Sequence, residues 1–237
     1  MARDLWLGLD IGSISINTVL LDAGRNIVEN HYTYCRGRPF HALREVLAGM
    51  LDRRRAAEIR GAALTGTGGK LAAGLLGGRF VNEIVAQSSA VAALYPQART
   101  VIEMGGEDSK LIIMGPRGLE DFAMNTVCAA GTGSFLDQQA RRIGVSIEKE
   151  FGELALRSCH PPHIAGRCSV FAKSDMIHLQ QIATPVEDIV AGLCFAVARN
   201  VRSNLARGRE LEKPVVFQGG VAANAGVVRA FREVLGL

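Results

Sequence analysis

The chain has 237 residues, of which 48% are hydrophobic and 21% charged, so it can build an apolar core and is not intrinsically disordered. Five cysteines at irregular spacing in a chain of this length exclude a disulfide-stabilised scaffold. The net charge of +4 does not indicate nucleic acid as the main partner, and no apolar run approaches the roughly 18 residues of a membrane-spanning helix. These features predict a cytoplasmic protein with reduced cysteines and with neither a nucleic-acid nor a membrane partner.

The first half of the chain predicts a three-stranded antiparallel meander, then a helix, a fourth strand and two more helices. The meander follows from three short apolar runs with tight turns between them. Pro39 is typical of a helix start, and the fourth strand leads into Thr-Gly-Thr-Gly-Gly. The predicted strands lie at 5–10, 16–22, 26–35 and 59–65, and the helices at 40–55, about 70–77 and about 82–95.

The second half repeats the same order of elements, which indicates a duplicated α/β architecture. Strand, turn, strand, turn, strand and helix occur near residues 5–55 and again near 100–143. The repeat predicts two similar lobes, residues 1–98 and 99–237, with a ligand cleft at the carboxyl ends of strands. The predicted strands lie at 100–104, 110–114, 119–126 and 214–218, and the helices at about 131–143, 146–157, 173–182, 186–207 and 224–235.

Three glycine turns follow predicted strands and have features of phosphate sites. The first glycine turn is Asp10-Ile-Gly-Ser13, the second is Glu103-Met-Gly-Gly-Glu-Asp108, and the third is Gly219-Gly220. Glycine lets backbone amides approach an anion, serine adds a hydroxyl, and aspartate can hold Mg²⁺. Each turn alone is more typical of an ordinary strand end. Three at equivalent positions favour a nucleotide site.

Two cysteines lie in unusual surroundings. Cys128 begins Cys-Ala-Ala-Gly-Thr-Gly, and Cys168 lies in Gly-Arg-Cys-Ser-Val-Phe-Ala. Each follows irregular chain and precedes a helical pattern, so each thiol is predicted near a helix N-terminus, where the helix dipole stabilises an anionic centre. Their separation matches no zinc or ferredoxin spacing, and spacing alone leaves open that both are inert. Cys35 and Cys194 are expected in the core, and Cys159 in a loop.

The three glycine turns together resemble phosphate loop one, phosphate loop two and the adenosine loop of the actin-like ATPase superfamily, which includes sugar kinases, Hsp70 and actin. The resemblance implies a duplicated ribonuclease-H-like fold. It also implies ATP or ADP with Mg²⁺ in a cleft between two lobes that close by a hinge.

The cysteine segments resemble a narrower group, the activators of 2-hydroxyacyl-CoA dehydratases and the ATPase subunits of benzoyl-CoA reductase. The match keeps the order of all motifs, and sugar kinases lack both cysteine segments. The resemblance implies a homodimer that holds one [4Fe–4S] cluster between its subunits, with Cys128 and Cys168 of each chain as ligands. It further implies ATP-driven transfer of one electron from a ferredoxin or flavodoxin to an iron–sulfur acceptor enzyme, a dehydratase or reductase component.

The resemblance also implies roles for individual residues. Asp10, Glu103 and Glu107 take the catalytic positions, and Asp10 also holds Mg²⁺. The cofactor-binding positions are Gly12, Ser13, Gly105, Gly106, Gly131, Gly133, Gly219, Gly220 and Asn224.

The chain departs from the usual motifs of these activators in three respects. Ile14 and Asn17 stand where the first motif usually has a threonine and a lysine. Glu103 and Glu107 replace an aspartate and a glutamine, as in the long multi-domain members. The family also continues past the last predicted helix with a strand and a helix, so we expect a fragment or one module. Two alternatives stay open: a sugar or carboxylate kinase of the same fold, and a non-catalytic docking module.

Overall fold

The computed structural model describes residues 4–125, 129–166 and 168–237. The chain forms two compact units, one ending at Gln87 and the other beginning at Ser88. The lobe boundary expected at residue 98 stays a prediction. Within the described ranges, no helix has both the length and the apolar character needed to cross a bilayer.

The first unit is a five-stranded mixed sheet with helices packed on it. Its elements are β1 (Leu5–Ile11), β2 (Ser15–Asp22), β3 (Ile27–Tyr34), α1 (Pro39–Arg53), β4 (Ile59–Thr65), α2 (Gly69–Leu76), β5 (Arg79–Phe80) and the start of α3 (Glu83–Leu94). The strand order is β3-β2-β1-β4-β5, and β1, β2 and β3 form the predicted antiparallel meander. β4 pairs with β1 in parallel, and the chain reaches β4 from β3 through α1.

Side-chain alternation explains the core of the first unit. Leu5, Leu7 and Leu9 of β1 are buried, whereas Trp6 between them is 41% exposed. The buried face packs against Leu43 and other apolar residues of α1. Burial of each of these aliphatic side chains stabilises the folded state by roughly 1.5–3 kcal/mol. This burial holds the end of β1 in place.

The second unit is a four-stranded sheet with a helical layer. Its elements are β6 (Thr100–Met104), β7 (Ser109–Gly115), β8 (Gly118–Asn125), α4 (Gly133–Arg142), α5 (Phe151–Arg157), α6 (Ser169–Gln181), α7 (Val186–Asn204), β9 (Val215–Gln218) and α8 (Ala225–Leu235). The strand order is β8-β7-β6-β9, with an antiparallel meander and a parallel β6–β9 pair. α7 contributes much of the apolar core.

Two helices begin well away from the predicted positions. α5 begins at Phe151 rather than near 146, because residues 146–150 form a turn in which Ser146 N donates to Glu150 Oε2 at 2.9 Å. α6 begins at Ser169 rather than near 173, so it starts directly after Cys168. The second difference places Cys168 at the cap of the helix.

Candidate functional site

The first glycine turn is a tight connection between β1 and β2. Gly12 N donates to Ser15 O at 3.0 Å, and this bond closes the turn around Ser13. Asp10 lies at the base of the turn, opposite Asn17 of β2. Asn17 Nδ2 donates to Asp10 Oδ2 at 3.3 Å. The residue that replaces the usual lysine therefore orients the Asp10 carboxylate.

A further glycine segment lies beside Asp10 and was not predicted as part of the site. We call this segment, residues 65–69 at the end of β4, the β4 loop. Gly66 has φ +81°, and a Cβ there would lie 2.5 Å from Asp10 Oδ1 and 2.6 Å from Ile11 O. Thr65 Oγ1 is buried and has no hydrogen-bond partner within the described ranges. The run Thr-Gly-Thr-Gly-Gly was the available signal, but its proximity to Asp10 comes from the parallel β1–β4 pairing.

The second glycine turn is organised by a buried lysine. Lys110 is 0% exposed, and its Nζ donates to Glu103 Oε2 at 2.9 Å and to Asp108 Oδ1 at 2.8 Å. Glu103 and Lys110 are paired residues of β6 and β7. Glu107, by contrast, is exposed. Sequence reasoning did not select Lys110, because a lysine inside a strand is normally solvent-exposed.

The third glycine turn lies against the second. Gly219 has φ +91°, and a Cβ there would collide with the Met104 carbonyl and lie 3.0 Å from Glu103 Oε1. The contact follows from the register of β6 and β9, in which Glu103 is opposite Gln218. Gly219 and Gly220 are both exposed. Two glycine turns of the second unit therefore meet at the Glu103 carboxylate.

The start of α4 is hydrogen-bonded directly to the second glycine turn. Gly133 N donates to Gly105 O at 2.9 Å, and Ser134 N donates to Gly106 O at 2.8 Å. A Cβ on Gly133 would lie 2.9 Å from Gly105 O, so glycine permits this close approach. Movement of the turn and movement of the first turn of α4 are therefore mechanically linked.

Asn224 has a structural task in the fold. It is the N-cap of α8, and its Oδ1 accepts from Val227 N at 3.1 Å. The cap satisfies one of the free amides at the start of that helix. Its expected contact with a cofactor stays a prediction.

Cys168 is the N-cap residue of α6. It has extended backbone geometry, its carbonyl accepts from Ala172 N at 3.0 Å, and its side chain is half-buried. The thiol therefore lies at the positive end of the helix dipole. Cys128 lies outside the described residues. In the part of the chain that is described, no three His, Cys, Asp or Glu side chains form a metal-binding group.

The other three cysteines differ in environment. Cys35 and Cys194 are buried, as expected, and burial raises the pKa of both thiols, that of Cys194 to about 12. Cys159 is exposed. Among the described cysteines, Cys168 alone combines partial exposure with a helix N-terminus.

Comparison with known proteins identifies the family of this chain. A sequence model of the BadF/BadG/BcrA/BcrD ATPase family matches residues 7–236. The 2-hydroxyisocaproyl-CoA dehydratase activator of Clostridioides difficile is 36% identical over 233 residues, covering 96% of this chain and 85% of that protein. The (R)-2-hydroxyglutaryl-CoA dehydratase activating ATPase of Acidaminococcus fermentans is 33% identical over 235 residues, covering 98% and 88%.

Solved structures agree with the sequence comparison. Component A of the (R)-2-hydroxyglutaryl-CoA dehydratase from Acidaminococcus fermentans superposes with a TM-score of 0.89 and 32% identity, covering 98% of this chain and 89% of that one. The ADPNP-bound activator of the 2-hydroxyisocaproyl-CoA dehydratase from Clostridium difficile gives a TM-score of 0.85 and 32% identity, covering 98% and 86%.

A ROK-family glucokinase from Streptomyces griseus shares the fold at 14% identity, with a TM-score of 0.54 and coverage of 98% of this chain and 89% of that one. The expected duplicated ribonuclease-H-like α/β fold is thus confirmed. Because the family match extends over nearly the whole sequence, the chain belongs to the BadF/BadG/BcrA/BcrD ATPase family.

Proposed function

We propose that this protein is an ATP-dependent one-electron donor that activates a partner iron–sulfur enzyme such as a 2-hydroxyacyl-CoA dehydratase. The role comes from the relatives, whose names describe activators of such dehydratases. The observation that carries the proposal is the pair of hydrogen bonds between the second glycine turn and the start of α4. Those bonds join an expected γ-phosphate site to the chain segment that follows Cys128.

In the first unit, the proposed task is to hold Mg²⁺ and phosphate. Asp10 presents a carboxylate that Asn17 orients, and carboxylate oxygen is a ligand that Mg²⁺ prefers. Gly12 and Ser13 in the tight turn supply a backbone amide and a hydroxyl for phosphate oxygens. The β4 loop lies beside Asp10 and adds Thr65 as a hydroxyl neighbour.

In the second unit, the proposed task is to bind the γ-phosphate and orient the attacking water. The Lys110 ammonium beside Glu103 favours the ionised carboxylate, which accepts a hydrogen bond from water. Glu107 is exposed at the same turn and supplies a second acidic group. The proposed phosphate contacts come from Gly105 and Gly106, and the adenosine contacts from Gly219, Gly220 and Asn224.

The described part of the chain supplies one cysteine whose position suits a ligand of an iron–sulfur cluster. Cys168 places a half-buried thiol at a helix N-terminus, and thiolates are the ligands of iron–sulfur clusters. We assign Cys128 as the second ligand from each chain, so that two chains related by a two-fold axis supply four thiolates. A bound [4Fe–4S] cluster would supply one-electron redox chemistry.

The chain itself supplies the coupling between the two sites. When the nucleotide changes from ATP to ADP, the second glycine turn loses its contacts with the γ-phosphate. Because the carbonyls of Gly105 and Gly106 accept from the first amides of α4, displacement of the turn shifts that helix start and the segment before it. Such coupling requires two discrete arrangements of this element, each favoured by one nucleotide state.

The proposal places the homodimer between two redox partners in the cytoplasm. A ferredoxin or flavodoxin would supply the electron, and the acceptor would be a dehydratase or reductase component. ATP hydrolysis would give the transfer its direction.

Replacement of Cys168 by serine tests the cluster assignment, with Cys159→Ser as the matched control at an exposed cysteine. We expect Cys168→Ser to abolish the brown chromophore and the bound iron and sulfide of anaerobically prepared protein, while ATP binding is retained. Cys128→Ser is expected to act in the same way, and Cys159→Ser to change neither property. Full iron content in Cys168→Ser protein would contradict the assignment. ATP-dependent phosphorylation of a sugar or carboxylate by cluster-free protein would instead identify a kinase.

A further inference from the structure

One buried polar residue of α7 lies where two loops converge. Asn200 is 0% exposed, in a helix whose neighbouring buried positions are mostly apolar. A buried amide is costly unless its donors and acceptors are paired. Its Nδ2 donates to the Gly166 carbonyl, and its Oδ1 accepts from Asn204 Nδ2 at 3.2 Å.

The first loop at Asn200 is the segment that follows Cys128. A Cβ on Gly131 would collide with Asn200 Oδ1 and would lie 2.9 Å from Asn125 Nδ2. Gly131 ends a short 3-10 helix, Ala129–Gly131, which packs on both α6 and α7. Glycine at 131 thus lets this segment lie directly on the Asn200 amide, a packing role distinct from the expected contact with nucleotide.

The second loop at Asn200 is the segment that precedes Cys168. Arg199 Nη2 donates to Ile164 O at 2.8 Å, and Ala165 N donates to Asp175 Oδ2 at 2.8 Å. The hydrogen bond from Asn200 Nδ2 to Gly166 O then holds the next residue of the same segment, so three consecutive residues are hydrogen-bonded to side chains. Hence the path into Cys168 is held by side chains of α6 and α7.

We infer that Asn200 is a positioning residue that sets the two cysteine-bearing segments relative to each other. We call Asn200, Gly131 and Gly166 the Asn200 junction. The Asn200 amide contacts both segments. Its removal therefore takes away a side-chain contact that fixes the position of each segment relative to the other. The inference rests on the proposed function in one respect, the role of Cys128 and Cys168 as ligands of one cluster.

The test compares Asn200→Ala with Val201→Ala, an equally buried apolar position next to it in α7. Iodoacetamide alkylation of reduced, cluster-free protein, followed residue by residue by mass spectrometry, uses exposed Cys159 as an internal reference. We expect Asn200→Ala to raise the Cys168 rate relative to Cys159 by about fivefold or more, because local opening exposes the thiol. Val201→Ala is expected to leave the ratio within about twofold, since it weakens the core without touching the junction amide.

A second measurement tests the steric contact between position 131 and the Asn200 side chain. In a double-mutant cycle, Gly131→Ala should alter the Cys168 ratio less in the Asn200→Ala background than in the parent, because the clash with Asn200 Oδ1 is gone. Equal effects in both backgrounds would overturn the junction.

Iron analysis separates failure of this inference from failure of the proposed function. We expect anaerobically reconstituted Asn200→Ala dimers to hold less than about half the parent iron, while ATP affinity stays within about threefold. Parent-like iron together with a parent-like alkylation ratio in Asn200→Ala would overturn the positioning role and leave the cluster assignment intact. A parent protein without iron would overturn the cluster assignment, and a raised Cys168 ratio in Asn200→Ala would still support the junction.

Discussion

Replacement of Lys110 by methionine gives the sharpest test of the second glycine turn. Methionine keeps a similar apolar length but removes the ammonium that lies 2.9 Å from Glu103 Oε2 and 2.8 Å from Asp108 Oδ1. The Glu103 side chain is 9% exposed, whereas that of Asp108 is 31% exposed. Water can therefore screen Asp108, whereas the buried Glu103 carboxylate would lose its contact with the Lys110 ammonium.

The expected cost follows from that burial. At 2.9 Å and an effective dielectric constant of about 20, the Lys110–Glu103 attraction is about 6 kcal/mol. Loss of one partner of a buried ion pair typically costs 3–5 kcal/mol, so we expect Lys110→Met to lower the free energy of unfolding by about 4 kcal/mol. Glu103→Gln combined with Lys110→Met removes both charges and should recover about half of this loss.

Urea denaturation at pH 7, followed by far-UV circular dichroism, measures these differences. Lys149→Met, at an exposed lysine of the same unit, is the control and should change stability by less than about 0.5 kcal/mol. A loss below about 1 kcal/mol for Lys110→Met, or a double variant less stable than Lys110→Met alone, would refute the reasoning.

Three further predictions concern the first unit. Asp10→Asn should remove most of the Mg²⁺ dependence of ATP binding measured by calorimetry, whereas Asp4→Asn should not; unchanged Mg²⁺ dependence would argue against a metal role. The Arg53 guanidinium lowers the pKa of Glu29 from 4.5 to about 2, so this pair stabilises the fold above about pH 4.5 and loses its effect as the pH falls towards 2. Since Arg53 is half exposed, Glu29→Gln should cost only about 1 kcal/mol at pH 7 and less at pH 3 by chemical denaturation. Gly66→Ala should cost about 2 kcal/mol or more, because its φ of +81° and its contact with Asp10 leave no space for a Cβ; a neutral effect on the unfolding midpoint would contradict that geometry.

Most strands could be predicted from the sequence because alternation and tight turns are local signals. The strand at Ile59–Thr65 has the predicted bounds, and the antiparallel meanders around β2 and β7 follow from short turns. The two-residue strand Arg79–Phe80 was missed, since it forms only by pairing with β4. Helix starts were less accurate, and α6 begins at Ser169, directly after Cys168, rather than near residue 173.

The glycine turns were recognisable from residue types, but their partners were not. Gly219 signals a close backbone approach, yet its approach to Glu103 requires the register of β6 with β9. Similarly, the resemblance gave Gly131 a cofactor-binding position, whereas the first atom that a Cβ at this position would meet is Asn200 Oδ1.

The sequence by itself determined the duplicated α/β pattern, the positions of the glycine turns and the two cysteine segments that point to the family. These are properties of neighbouring residues, which periodicity and local motifs record. Only the tertiary structure decided that Lys110 joins two carboxylates, that α4 is bonded to the second glycine turn, and that Asn200 contacts both cysteine-bearing segments. These contacts join residues on different elements, and the packing of those elements, rather than any local preference, brings their polar groups within hydrogen-bond distance.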